Sequence, residues 1–204
     1  LQRRSVECQR GLGGVITALD PVMQACQGLW VAQSNGDADQ QVSPDGRIKV
    51  PPEDPKYLLK RIWLTKEEQE GYYYGFSNEA LWPLCHMAFK RPMFRQSDWE
   101  YYQKVNAKFA KAVLDEIGGQ KAFVWIQDYQ LCLLPKYLKE KVGRQIITAH
   151  FWHIPWPNYE AFRICPQRKE ILDGLLANDV LGFHTRYHCN NFLDVIDREI
   201  ESKI

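Results

Sequence analysis

The chain is defined first by what it lacks. No apolar run approaches the roughly 20 residues needed to span a bilayer, and Leu1 opens no secretory signal pattern. No charge of either sign prevails: 26 Lys and Arg face 25 Asp and Glu in 204 residues. They are scattered without a long basic block, so no strong field draws the chain to nucleic acid or an anionic membrane. No cysteine pair is present. Cys8, Cys26, Cys85, Cys132, Cys165 and Cys189 are widely spaced, none forms CxxC, and no Cys/His group has the spacing of a structural zinc site. Cys26, Cys85, Cys132 and Cys165 sit among apolar neighbours, the pattern of free, partly buried thiols in a reducing cytoplasm. Internal repeats and low-complexity linkers are also missing, so residues 1–204 read as one domain with a sizeable core.

What is abundant is aromatic, with seven Trp and ten Tyr. Most belong in a core; an excess also suits a sugar-binding cleft, where ring faces pack on pyranose C–H groups. Short apolar runs alternate with amphipathic stretches. Val15–Cys26 has helical spacing after Gly13-Gly14, with Pro21 marking a kink or a new turn. Gly28-Leu-Trp-Val-Ala reads as a strand. Residues 33–54 form a polar excursion with a turn at Asp45-Gly46 and a short strand at Arg47-Ile-Lys-Val. Thr65 and Glu68 make a capping box, and the aromatic run after it ends at Pro83. A long helix from Ser97 closes at Gly118-Gly119. Strands follow at 122–126, 145–149 and 180–183, separated by helices at 133–141 and 165–177, with an amphipathic helix from His184 to Ile204. This alternation predicts an α/β fold: an open, mostly parallel sheet with helices on both faces. No strand precedes the glycines, so the domain's first strand is expected to be missing from these residues.

Chemistry collects at the strand ends, where ligands of open α/β sheets bind. Asp128 follows one strand and suits sugar hydroxyls, or equally an N-cap. His153 follows the next; it can donate to a sugar hydroxyl or polarise a leaving group, or sit satisfied in the core. His184 ends a third, and His150 has the opposite strand parity and faces another layer. Gly11-Leu-Gly-Gly14 at a helix start is either an anion cradle or a tight turn. Tyr72–Tyr74 and Trp82 are an aromatic cluster or simple helix-face packing. Arg163 and Arg168 are phosphate ligands or a solvated face.

Taken in order, Arg10-Gly-Leu-Gly-Gly-Val-Ile-Thr-Ala-Leu, Gly28-Leu-Trp, Tyr73-Tyr-Gly-Phe-Ser-Asn-Glu-Ala-Leu-Trp-Pro83, Val105-Asn-Ala-Lys-Phe-Ala, Asp128-Tyr-Gln-Leu-Cys-Leu-Leu-Pro135, His153-Ile-Pro-Trp-Pro and Asp179-Val-Leu-Gly-Phe-His-Thr185 resemble the N-terminal half of the trehalose-6-phosphate synthase family. The resemblance implies a retaining glycosyltransferase with two Rossmann-like domains facing across a cleft, joining glucose from UDP-glucose to glucose-6-phosphate. This chain would be the N-terminal, acceptor-side domain, probing its substrates with no cofactor and no tightly held metal, and lacking the C-terminal donor-binding domain. Gly14 would lie against the donor diphosphate, Tyr73 and Trp82 would hold glucose-6-phosphate, Asp128 with Gln130 would bond sugar hydroxyls, and His153 would contact the transferred glucose near the reacting carbon. Partners would be a sugar phosphate, a nucleotide sugar and the second domain, with a homo-oligomer left open. The sequence departs from the family pattern at Gln127-Asp-Tyr-Gln130, which replaces His-Asp-Tyr-His, at Gln33 and at Gln167, each where the family usually carries Trp. Glutamine hydrogen-bonds but takes no proton. Another acceptor, such as glycerol-3-phosphate, or a non-catalytic sugar-phosphate-binding domain therefore stays open.

Overall fold

A computed structural model describes residue 11 and residues 13–200. The polar start with its expected missing strand, Cys8, Leu12 and the last four residues of the expected closing helix lie outside them. The chain divides into two compact units, Leu1–Leu64 and Thr65–Ile204.

In the first unit, α1 (Gly14–Cys26) runs through Pro21 without ending there. Strand β1 (Leu29–Gln33) pairs in parallel with β3 (Tyr57–Ile62), which pairs antiparallel with β2 (Arg47–Val50). A four-residue helix, α2 (Asp39–Val42), interrupts the polar excursion. The sequence reading misses β3 because Leu58-Leu-Lys-Arg61 has no two-residue alternation. Its cations are absorbed locally: Arg61 lies 3.0 Å from the Asp39 carboxylate, and Lys60 donates to the Asp45 carbonyl at 2.7 Å. On α1, buried Asp20 accepts from the Tyr57 hydroxyl at 2.8 Å, tying helix to sheet.

The second unit opens with the expected capping box. Thr65 Oγ1 accepts from the Glu68 N–H while Glu68 accepts from the Thr65 N–H. The helix then continues as α3 (Lys66–Gln69), a π-helix over Glu70–Leu81, and α4 (Trp82–Cys85). Pro83 does not end it. It falls at the start of α4, where the winding changes from π to α. Helix α5 (Gln96–Ile117) buries Trp99, Tyr102, Val105, Asn106, Phe109, Ala110 and Val113, the spacing of one helical face. The π-helix lies close against it, because Gly71 leaves room: a Cβ there would stand 2.8 Å from the Tyr101 Cβ.

Strands β4 (Ala122–Gln127), β5 (Ile146–Trp152) and β6 (Val180–Phe183) form a wholly parallel sheet in the order β4-β5-β6. Between them come a 3-10 turn (Tyr129–Leu131), α6 (Leu134–Val142), a second 3-10 turn (Gly143–Gln145), α7 (Tyr159–Phe162) and α8 (Arg168–Leu176), and α9 (Arg186–Ile200) closes the unit. One face of β5 buries Ile146, Thr148, His150 and Trp152. On alternate positions Phe123, Trp125, Ile147 and Val180 are exposed. Two aromatic clusters fill the core: Tyr72, Phe76, Trp99 and Tyr102 between the π-helix and α5, and Trp152, Trp156, Phe162 and Phe192 beside the sheet. The parallel sheet with its connecting helices is the α/β fold that the alternation predicts. Cys85, Cys132 and Cys165 are buried free thiols, whereas Cys26 is exposed.

Candidate functional site

Asp128 leaves β4 with φ 67° and ψ 177°. That backbone region is nearly glycine-only, and holding another residue there costs about 1–3 kcal/mol. The neighbouring groups that enforce it are specific. The Asp128 N–H still donates to the Phe151 carbonyl at 2.8 Å, extending the sheet. Its carbonyl accepts from His150 Nε2 at 2.8 Å. Its Oδ1 accepts from the Tyr129 N–H at 2.9 Å and from the His153 N–H at 3.1 Å. One carboxylate oxygen thus caps the 3-10 turn and clamps the end of β4 to the end of β5. The capping alternative is realised on that turn, while α6 starts later. Oδ2 accepts from no protein donor among the described residues.

The imidazoles divide by burial. His150 is buried, and desolvation lowers it to about 4, so it stays neutral and donates from Nε2. Half-buried His153 is also held below its ordinary value by burial, with Asp128 pulling it upward and His184 pushing it further down. Burial pushes the Asp128 carboxyl up, opposed by the N–H groups of Tyr129 and His153. The His184 ring lies 5.6 Å from that of His153, and both pack on Phe151. Three adjacent strand ends therefore bring Asp128, His153 and His184 together.

Behind this turn stand residues that sequence reasoning passes over. The buried Tyr102 hydroxyl donates to the Tyr129 carbonyl at 2.6 Å and accepts from the Cys132 N–H at 3.0 Å. Buried Asn106 donates to the Gln130 carbonyl at 3.1 Å and accepts from the Leu133 N–H at 3.2 Å. The usable signal is Asn106 itself, a polar residue on the apolar face of α5. From the far side, a Cβ at Gly174 of α8 would collide with the Cys132 carbonyl oxygen and stand 3.1 Å from the Leu133 Cα. Backbone cannot yield as a side-chain tip can, so Gly174→Ala is expected to destabilise the chain by about 3 kcal/mol. A urea midpoint unchanged from the parent would refute this packing.

Tyr73 and Trp82 belong to the long helical stretch, and its winding matters. The Trp82 N–H bonds to the Ser77 carbonyl, five residues back. Such a π-helix takes about 4.4 residues per turn, so Tyr73, Asn78 and Trp82 share one face; α winding, at about 3.6, sends Tyr73 and Trp82 to opposite faces. Asn78 accepts from the Tyr129 hydroxyl at 2.8 Å, which turns this face toward the Asp128 turn. Tyr72 is core, Tyr73 packs edge-on against Tyr74, and exposed Trp82 stacks on His86 at 4.0 Å. Gln130 sits in the 3-10 turn beside Asp128. Gly14 opens α1 in the first unit, where Gly13 supplies no side-chain cap and a Cβ at Gly14 would meet nothing within 4 Å.

Other candidates are occupied. Arg168 bonds Glu199 at 2.8 Å and Arg163 lies 3.4 Å from Glu160. A groove of about 570 Å³ lined by Glu70, Tyr74, Glu79, Arg95 and Asp98 contains none of Gly14, Tyr73, Trp82, Asp128, Gln130 and His153, and its Arg95 is already bonded to Glu79 and Asp98. Among the described residues no group of three or more His, Cys, Asp or Glu side chains is placed to hold a metal ion. No described helix is long and apolar enough to cross a membrane.

The sequence model of glycosyltransferase family 20 matches residues 2–204. The chain belongs to this family. One relative, the trehalose-6-phosphate synthase of Mycolicibacterium vanbaalenii, is 35% identical over 204 residues, 96% of this chain and 39% of its own length. The chain thus spans about two fifths of that relative. An Escherichia coli structure bound with UDP-2-fluoro glucose aligns with a TM-score of 0.79 at 28% identity, covering 95% of this chain and 42% of that one. The α,α-trehalose-phosphate synthase of Burkholderia xenovorans in complex with glucose-6-phosphate aligns at 0.75 with 25% identity, covering 93% and 40%.

Proposed function

We propose that this family 20 chain is the acceptor-side half of a retaining glucosyltransferase that moves glucose from UDP-glucose to glucose-6-phosphate, giving trehalose-6-phosphate. The single observation that carries the reading is the 3.1 Å bond from the His153 N–H to Asp128 Oδ1, which brings a carboxylate and an imidazole together at neighbouring strand ends. Asp128 Oδ2 takes the acceptor's hydroxyl protons in hydrogen bonds, with Gln130 beside it. Tyr73 and Trp82 offer the rings against which the sugar phosphate packs. His153 contacts the transferred glucose near its reacting carbon, and Gly14 with the start of α1 lies against the donor diphosphate. UDP-glucose is the donor substrate, and no separate cofactor enters. The free thiols support a cytoplasmic setting.

Retaining transfer leaves large negative charge on the departing diphosphate, which must be met electrostatically. In this reading the basic groups that meet it belong to a second, donor-binding domain, so these 204 residues turn over little alone. Measuring UDP release from UDP-glucose plus glucose-6-phosphate tests this; robust turnover by the chain would overturn the division of labour. Thermal shift ranks the acceptors. A ligand at 100 times its Kd adds about 2.7 kcal/mol of apparent stability, so glucose-6-phosphate is expected to raise Tm and glycerol-3-phosphate to do little. The reverse ranking would favour the other acceptor, the reading that Gln33 and Gln130 keep open. Trp82→Ala is expected to weaken glucose-6-phosphate about tenfold, the equivalent of 1.4 kcal/mol, with a smaller loss of Tm because the ring it gives up is partly exposed and stacks on His86.

A further inference from the structure

We infer that Gln127 is a positioning residue that holds His153 in its Nε2–H tautomer, so that His153 meets a bound sugar as a hydrogen-bond acceptor through Nδ1. The inference deepens the proposed glucosyl-transfer site and rests on that reading for the ligand, though not for the tautomer.

The geometry is direct. His153 Nε2 lies 2.8 Å from Gln127 Oε1. An amide oxygen only accepts, so the proton of this bond sits on Nε2. A neutral imidazole has one N–H, and the other nitrogen then carries a lone pair. Burial keeps His153 neutral near pH 7. Nδ1 meets no protein partner among the described residues. The surroundings do not compete for either nitrogen: Phe151 and His184 pack on the ring through their faces and edges, and the Asp128 carboxylate engages the His153 backbone N–H instead. Gln127 is itself fixed, at the last position of β4 in register with Phe151, and its Nε2 is buried without a partner. Rotating the amide to donate toward His153 would bury the oxygen in that place and reverse the tautomer, so the two arrangements make opposite predictions.

The consequence is chemical. With Nδ1 unprotonated, His153 accepts from a hydroxyl of the transferred glucose and orients it. It has no second proton to give to a leaving oxygen. A glutamine at this position, unlike a histidine, cannot change its own protonation, so the tautomer stays the same across the pH range in which His153 is neutral.

Histidine-selective 15N labelling of the chain, read by long-range 1H–15N correlation, tests the inference without any ligand. The expected spectrum of the parent shows His153 protonated at Nε2 and bare at Nδ1 at pH 7.5. Gln127→Leu is expected to give a mixture of the two tautomers. Gln127→Glu restores the Nε2–H form, since a carboxylate also accepts, and moves the His153 titration to higher pH by adding a negative charge. A merely structural glutamine would leave the tautomer unchanged in Gln127→Leu. Should Gln127→Leu fail to fold, the tautomer of the parent itself still decides. An Nδ1–H tautomer in the parent, or an unchanged tautomer in Gln127→Leu, overturns the inference. A correct tautomer with no binding of glucose-6-phosphate supports it and counts against the substrate reading alone.

Discussion

Asp128→Ala is expected to lose about 3 kcal/mol of stability as well as sugar-phosphate binding, whereas Asp128→Asn is expected to lose mainly the binding. The difference follows from what each oxygen does. Oδ1 accepts two backbone N–H groups, from Tyr129 and His153, and hydrogen bonds to a charged group contribute about 1.5–3 kcal/mol each. Alanine removes both bonds and still occupies the strained backbone at φ 67°, so nothing offsets the loss. Asparagine keeps an oxygen for the same two donors, which hold the backbone in place as Asp128 does; it removes the charge on Oδ2. Glucose-6-phosphate affinity is therefore expected to fall about 10- to 100-fold in Asp128→Asn, from the loss of about 1.5–3 kcal/mol, with a urea midpoint near the parent's. Calorimetric titration alongside urea unfolding separates the two effects. Undiminished affinity in Asp128→Asn would remove Asp128 from the sugar site.

Acidification from pH 7 to pH 5 is expected to cost the chain about 2 kcal/mol through His150 alone, approaching ~3 kcal/mol near pH 4. The sign runs through proton uptake. Unfolded, this imidazole takes a proton near 6.5; folded, it resists until about 4 because burial penalises the charge. Between those values the unfolded state binds more protons, so stability is complete above 6.5 and drains away as pH falls. His153, also lowered by burial, adds in the same direction. Asp128 works the other way: its raised carboxyl makes the folded state the better proton binder above the ordinary carboxylate range, and acid relieves that cost. Urea unfolding of the parent and of His150→Gln at pH 7 and pH 5 isolates the histidine, since the amide can still donate to the Asp128 carbonyl but does not titrate. Equal pH slopes in the two proteins would show that His150 does not govern the acid sensitivity.

Most of the second unit is legible in its residues. Thr65 with Glu68 announces a helix start because the capping box is a local, reciprocal pair of bonds. Helix α5 reads cleanly because seven buried residues fall on one face. β4, β5 and β6 announce themselves as apolar runs bounded by polar strand ends, and Asp128, His153 and His184 lie at those ends. The π-helix leaves no such trace. Its hydrogen bonds reach one residue further than those of an α-helix, yet its composition is ordinary, so nothing local tells that Tyr73 and Trp82 share a face. β3 hides for another reason: Lys60 and Arg61 break the strand pattern, and only their partners Asp45 and Asp39 explain how a strand carries them.

By itself the sequence determined the parallel α/β sheet of the second unit, most element positions and the chemical types at the strand ends, because periodicity, caps and turn residues act over a few positions. The tertiary structure alone decided how those groups work. It bends Asp128 into a glycine-like backbone held by His150, gives one carboxylate oxygen to the scaffold while the other meets no protein donor among the described residues, and sets Gln127 against His153. Apart from the Tyr129 N–H bond, these are contacts between residues more than 20 positions apart. They depend on strand register and burial, which no local pattern encodes.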